Sequence, residues 1–260
     1  MSEVTTDDVL RGRVALVTGA GRGIGRRLAV GLARMDAHVA LLARSENELG
    51  EAVAEIQAGG GIATAVVTDV QDADRLRVGV ERVRAELGAP VVLINNAAVV
   101  TPLGRTEALD PVAVAAAVAV NIVAPITLSA TLIPGMTAAG WGRIVNVSSG
   151  IAASPASMPG MGIYAASKAA LEAATLNLAA ELDGSGITAN VYRPGAVDTA
   201  MQQWIRDQPA DRIGAALHDR FAAMHADGNL ITPEQSARSL LDRITSSQTG
   251  QIWSVDDPPR

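Results

Sequence analysis

The sequence predicts one α/β domain built on a doubly wound sheet of seven parallel strands, with helices on both faces. Three observations predict it. Short Val/Ile/Leu-rich runs alternate with longer amphipathic segments along most of the chain, the pattern of repeated strand–helix units. Hydrophobic residues make up 48% of the sequence and aromatic residues only 2%, so the interior must be filled by Ala, Val, Leu and Ile packed closely between layers. A length of 260 residues suits one large core and falls short of two full domains.

Taken in order, strands are expected at 14–17, 39–42, 65–67, 91–94, 144–147, 188–192 and 252–255. Each is a brief apolar run of the length a buried strand needs. Helices are expected between them at 24–35, 46–58, 73–87, 112 to about 133, 162–182 and 233–244. Ser45 and Glu48 have capping-box spacing before the second helix, and Gly59, Gly60 and Gly61 end it. Asp110 followed by Pro111 reads as N-cap and first turn of the fourth. From 198 to 230 the periodicity is lost, and so long a segment inside a compact domain reads as a lid. Residues 1–11 and 256–260 read as loosely held tails, leaving 12–255 as a single domain.

Composition excludes several functions. The net charge is -6 and the 21 basic residues are scattered, so nothing resembles a footprint for a nucleic-acid backbone. The chain has no cysteine, hence no disulfide framework and no thiolate metal ligands, and no metal site is expected. The polar, acidic residues 1–8 lack the basic and apolar regions of a signal peptide, which points to a cytoplasmic protein. The most apolar stretch, 112–126, contains Asn121 and Pro125 and falls short of the roughly 20 residues that span a bilayer, so no membrane segment is expected.

Directly after the first strand comes Thr18-Gly19-Ala20-Gly21-Arg22-Gly23-Ile24-Gly25, running into a helix. Glycines let backbone turn tightly and approach a pyrophosphate without a Cβ clash, while the helix start offers free N–H groups and a positive dipole end. A glycine-rich surface loop is the plainer alternative, and the flanking strand and helix argue against it. Tyr164-Ala165-Ala166-Ser167-Lys168 places a phenol and an ammonium four residues apart on one helical face. A fixed cation there would lower a phenol pKa of ~10 and let Tyr164 exchange protons near neutral pH. Asn121 precedes Pro125 by four residues. Proline has no N–H, so the Asn121 carbonyl loses its helical donor and is free to accept water; a plain kink is the other outcome.

The T-G-x-x-x-G-x-G spacing and the Tyr-x-x-x-Lys pair together resemble the short-chain dehydrogenase/reductase family in its compact, single-domain branch. The resemblance spans roughly Arg13 to Val255. It implies a Rossmann-like fold and hydride transfer between a nicotinamide and a carbonyl or alcohol carbon. It also implies Tyr164 as acid and base, Lys168 beside it, Asn121 as the fourth catalytic position, and a serine just past the fifth strand. Ser149 is preferred to Ser148 for that serine, although either could cap a turn. The segment between Ser149 and Tyr164 is longer than the family's commonest. His38, His218 and His225 are scattered, which disfavours a serine nucleophile.

For the cofactor, the resemblance assigns Gly19, Gly21, Arg22, Gly23, Ile24 and Gly25 to the phosphates, Asp69 and Val70 to the adenine, and Asn95 and Ala97 to the adenosine side. Ala98 stands where the family has glycine. Tyr164 and Lys168 also reach the cofactor, and Pro194, Gly195, Val197 and Thr199 line the nicotinamide. An acidic residue at the end of the second strand would select NAD. Here Arg44 and Ser45 stand there, and with Arg22 they would favour the 2′-phosphate of NADP, so NADP(H) is expected over NAD(H). Asp69 could instead cap a helix.

The expected substrate is a small carbonyl or alcohol compound, possibly bound to an acyl carrier as in a 3-oxoacyl-carrier-protein reductase. Met201, Trp204, Ile205, Phe221 and Met224 of the lid would shape its apolar part, and Arg206, Arg212 and Arg220 would attract an anion; ordinary packing and solvated charge explain them equally. A homotetramer or homodimer through the long helices and last strand is implied. A cofactor-binding sensor without turnover is the alternative of another class.

Overall fold

The computed structural model describes residues 9–258. Its centre is a sheet of strands β1 (Val14–Thr18), β2 (His38–Ala43), β3 (Ile62–Val67), β4 (Pro90–Asn95), β5 (Gly142–Val147), β6 (Ile187–Arg193) and β7 (Ile252–Ser254). All neighbours are parallel, in the order β3-β2-β1-β4-β5-β6-β7. The chain starts in the middle, winds outward to β3, then crosses back to β4 and winds the other way. Where the winding reverses, between β1 and β4, the loops at the strands' carboxyl ends diverge and leave a crevice.

The helices are α1 (Gly23–Arg34), α2 (Glu46–Ala58), α3 (Ala73–Glu86), α4 (Pro111–Val118), α5 (Ala124–Ala139), α6 (Gly162–Glu181), α7 (Ala200–Arg206), α8 (Ala210–Ile213), α9 (Ala215–Ala226) and α10 (Pro233–Leu241). On one face, Leu28 and Leu32 of α1, Leu49 and Ile56 of α2 and Leu240 of α10 pack on β1 and β2. On the other, Leu76 and Val80 of α3 and Leu128, Leu132 and Met136 of α5 pack on β1, β4 and β5. Each such side chain contributes about 1.5–3 kcal/mol by leaving water. Caps stop the helices where the sequence supplies them: Ser45 accepts from Glu48 N and Asp110 from Val112 N. Thr232 and Gln235 form a capping box at the start of α10.

Four expectations need correction. The fourth helix, expected to end near 133, runs through Pro111–Ala139, 29 residues. Within it, Ala119–Val123 is a π turn. Pro125 cannot donate to Asn121, so the ladder slips by one and Ala124 N donates to Ala119 O. That helix is long and apolar enough to cross a membrane, so the argument from insufficient length fails; Leu128, Leu132 and Met136 spend part of its apolar surface in the core. Residues 198–230, expected to be irregular, form three helices, α7–α9, closed at their base by pairing of Val197 with Ile231. The tails are tied down where described: Leu10 is fully buried, and Arg243 donates to the carbonyls of Asp257 and Pro258. Residues 1–8 and 259–260 lie outside the described residues.

Candidate active site

The carboxyl ends of the strands open into one cavity of about 1160 Å³. Gly19, Gly21, Arg22, Gly23 and Ile24 line it between β1 and α1. Gly19 and Gly23 adopt positive φ, +64° and +55°, which an L side chain rarely tolerates. Gly25 stands behind the turn, and a Cβ there would sit 2.3 Å from Gly19 O. The turn is held from below by Thr18, whose Oγ1 accepts from the backbone N–H groups of Asn96 and Ala97, both at 3.0 Å.

The residues expected on the adenosine side fall unevenly about the cavity. Ala97, Ala98, Asp69 and Val70 line the cavity. Asn95 does not: as the last residue of β4, in register with Asn146 of β5, it points into the core and donates to Asn146 Oδ1 at 2.8 Å. Asn96, one residue on, lines the cavity and donates through Nδ2 to Thr18 O. Asp69 is not a helix cap, since Asp72 caps α3. Thr68, beside it, lines the cavity with a buried Oγ1 that has no protein partner. Sequence reading missed Thr68 and gave Asn96 no role of its own within the segment Asn95-Asn96-Ala97-Ala98; strand alternation past the ends of β3 and β4 is the signal that finds them.

Arg44 and Ser45 line the same wall. Arg44 lies 3.9 Å from Asp69 and Arg22 lies 3.2 Å from Glu48, each pair largely exposed. Across the cavity, Pro194, Gly195, Val197 and Thr199 follow β6. Gly195 has φ +79°, and Thr199 reaches to 3.5 Å from where a Cβ on Gly23 would be. The loop after β6 thus arches over the glycine turn.

At the other end of the cavity, α6 presents Tyr164 and Lys168 and the turn after β5 presents Ser149. Burial pushes the Tyr164 phenol up to about 12, only partly offset by the neighbouring Ser149 hydroxyl, which favours the phenolate. Lys168 is fully buried and its Nζ donates to Val147 O at 2.7 Å. Burial brings its ammonium down to about 8. Nζ lies 5.8 Å from the centre of the Tyr164 ring. The expected lowering of the phenol by Lys168 is therefore absent here: desolvation acts on both groups and drives both toward neutrality.

Ser148 also lines the cavity, but its buried hydroxyl donates to Glu172, which leaves Ser149 as the serine beside Tyr164. Asn121 does not line the cavity. Its side chain is spent on the framework, accepting from Val99 N at 2.9 Å and donating to Val99 O at 2.8 Å and Ser167 Oγ at 3.0 Å. It thereby fixes the loop after β4 to α6. Beside Tyr164, Met201, Trp204 and Ile205 of α7 and Phe221 of α9 join Met158 and Met161 in one apolar cluster. Met224 and Arg220 also line the cavity, and Arg220 donates to Ser157 O at 2.9 Å.

A family model described as short chain dehydrogenase matches residues 13–210. Over 197 residues the chain is 35% identical to the 3-oxoacyl-(acyl-carrier-protein) reductase FabG of Pseudomonas aeruginosa, covering 74% of this chain and 76% of that protein. Among solved structures it is similar to L-sorbose reductase from Gluconobacter frateurii complexed with NADPH and L-sorbose, with a TM-score of 0.85 and 26% identity over 98% of each chain. It is also similar to a blue fluorescent protein from a metagenomic library in complex with NADPH, with a TM-score of 0.81 and 32% identity over 95% of this chain and 97% of that one.

Proposed function

The chain belongs to the short-chain dehydrogenase/reductase family, enzymes that interconvert C=O and CH–OH with a nicotinamide dinucleotide, and on that premise we propose that it is an NADP(H)-dependent carbonyl reductase or alcohol dehydrogenase using Tyr164 as acid and base. One observation carries the reading: Tyr164, Ser149, Lys168 and the glycine turn all face a single cavity. Its shape fits the dinucleotide, with a glycine cradle packed so tightly that a Cβ at Gly19 or Gly25 would strike Ala97 or Gly19 O and an orphaned Thr68 Oγ1 on the adenosine side. Bound there, the cofactor supplies or takes up hydride.

The chain's own residues do the rest. Near neutral pH, Tyr164 keeps its proton and Lys168 is mostly an ammonium, the pairing suited to giving a proton to a carbonyl oxygen. Ser149 holds that oxygen beside the phenol. Asn121 contributes through its backbone carbonyl, which Pro125 cannot serve as a donor. Arg44 and Arg22 hold the 2′-phosphate, which makes NADP(H) the preferred cofactor. Asp69 and Val70 bound the adenine, and Gly195, Val197 and Thr199 orient the ring.

The apolar lid over Tyr164 supports a substrate with a hydrophobic part, enclosed by residues 198–230 of a single domain spanning 12–255. The likeness to an acyl-carrier-protein reductase and the exposed Arg220 at the rim favour a 3-oxoacyl thioester as the second reading. Val112, Val118, Val123 and Ile126 of the long helix and Leu176 of α6 are exposed apolar residues, which supports a homodimer or homotetramer through those helices. The test is a panel of ketones, alcohols and a 3-oxoacyl thioester followed by NADPH absorbance. Tyr164→Phe should lower kcat by roughly 100- to 10,000-fold; undiminished turnover by that variant would refute the assignment. Tight NADPH binding with no turnover of any compound would favour a sensor.

A further inference from the structure

Glu172 stands one helical turn past Lys168, as Lys168 stands one turn past Tyr164, so the three share a stripe of α6. The residue is 7% exposed, and its carboxylate accepts from Ser148 Oγ at 2.7 Å, Arg193 Nε at 2.9 Å and Arg193 Nη2 at 2.7 Å. Those donors come from two different strand ends. Ser148 immediately precedes Ser149, and Arg193 immediately precedes Pro194 of the cofactor loop. A buried ion pair of this kind adds little net stability, because desolvating two charges costs about what their attraction returns. Placement is where it acts.

We propose that Glu172 is a positioning residue of the reaction, which clamps the ends of β5 and β6 onto α6 and supplies the negative charge that keeps Lys168 an ammonium, with Arg193 setting how much of that charge Lys168 feels. This rests on the roles given above to Tyr164 and Lys168. Lys168 Nζ is bonded to the neutral Val147 O, and no carboxylate among the described residues stands within ion-pair distance of it. Burial opposes its charge and Glu172 favours it. On its own helix Lys168 faces Tyr164 and Glu172. β5 presents Val147 O and the hydroxyls of Ser148 and Ser149, the π turn presents neutral Asn121, and β6 presents Arg193 behind Glu172.

Lys168 is the only lysine in the sequence. A ¹³C label at lysine Cε therefore gives one resonance, whose pH titration reads this amine without any turnover. Glu172→Gln removes the charge, and the midpoint should fall by about one pH unit. Arg193→Gln leaves Glu172 without its counter-ion, and the midpoint should rise by about half a unit or more. Both variants break the same clamp, so a merely structural role would move the midpoint in one common direction or not at all, and either result overturns the proposal. If Glu172→Gln fails to fold, Arg193→Gln decides alone: the rise must be seen. The alkaline limb of kcat should follow each midpoint. Full activity in Tyr164→Phe would sink the functional reading and leave the labelled-lysine result standing on its own.

Discussion

Lys168→Met should stabilise the folded chain while ending turnover. The side chain is 1% exposed, and burial brings its pKa from 10.5 to about 8. The folded protein therefore releases this proton more readily than the unfolded chain. Below pH 8 both states carry the charge and folding bears the full cost of burying it; between 8 and 10.5 only the unfolded state keeps the proton, and the cost fades. The drop in pKa corresponds to about 3 kcal/mol at pH 7. Methionine occupies similar space without charge but leaves Val147 O without its donor, which offsets about 1–2 kcal/mol. The net gain is about 1–2 kcal/mol, or roughly 3–6 °C in Tm for a chain of this size. Denaturant titrations of both proteins at pH 7 and pH 10 measure it. A variant less stable than wild type at pH 7, or a gap that does not narrow by pH 10, would show that the buried ammonium is not the cost described.

Arg44→Asp should lower the ratio of NADPH to NADH affinity by roughly 30- to 100-fold, the loss of a charge-assisted contact of about 2–3 kcal/mol; paired fluorescence titrations check it, and an unchanged ratio removes Arg44 from the site. Gly25→Ala forces a Cβ to within 2.3 Å of Gly19 O, so NADPH affinity should fall by more than about tenfold and stability by about 1–3 kcal/mol, with wild-type values in both measurements counting against the cradle. Carbonyl reduction should decline as pH rises through about 8, where Lys168 loses its proton; a rate that keeps rising past pH 9 contradicts the role given to the ammonium. Ile126→Glu places a carboxylate on an exposed apolar face and should lower the mass seen by sedimentation; a wild-type chain that is already a monomer ends that proposal.

Most of the fold is legible in the sequence because parallel strands in a covered sheet leave short apolar runs, and several end at a glycine or a proline, as β1 does at Gly19 and β6 at Pro194. The glycine turn and the Tyr164–Lys168 spacing are equally local, and both fall on one cavity. What was not legible depends on contacts across the sheet. Asn95 and Asn96 look alike in sequence, yet one faces Asn146 in the core and the other faces the cavity. Glu172 carries no mark in the sequence, because the residues that converge on it, Ser148 and Arg193, lie on other elements. The helices of 198–230 escaped notice because α7 and α8 are short, and α8 has only 4 residues, too few to show a period. The altered pKa of Tyr164 follows from enclosure, which spacing along the chain does not reveal.

The pairing of Val197 with Ile231 makes the intervening stretch a loop whose two feet are already fastened side by side. Its length then bears weakly on the rest of the molecule, since added residues cost the entropy of a closed ring and leave the sheet's own contacts intact. On the function proposed above, choice of substrate is thereby separated from the machinery that moves the hydride. New helices can be exchanged above the staple while the phenol, the amine and the glycine cradle stay where the strands put them.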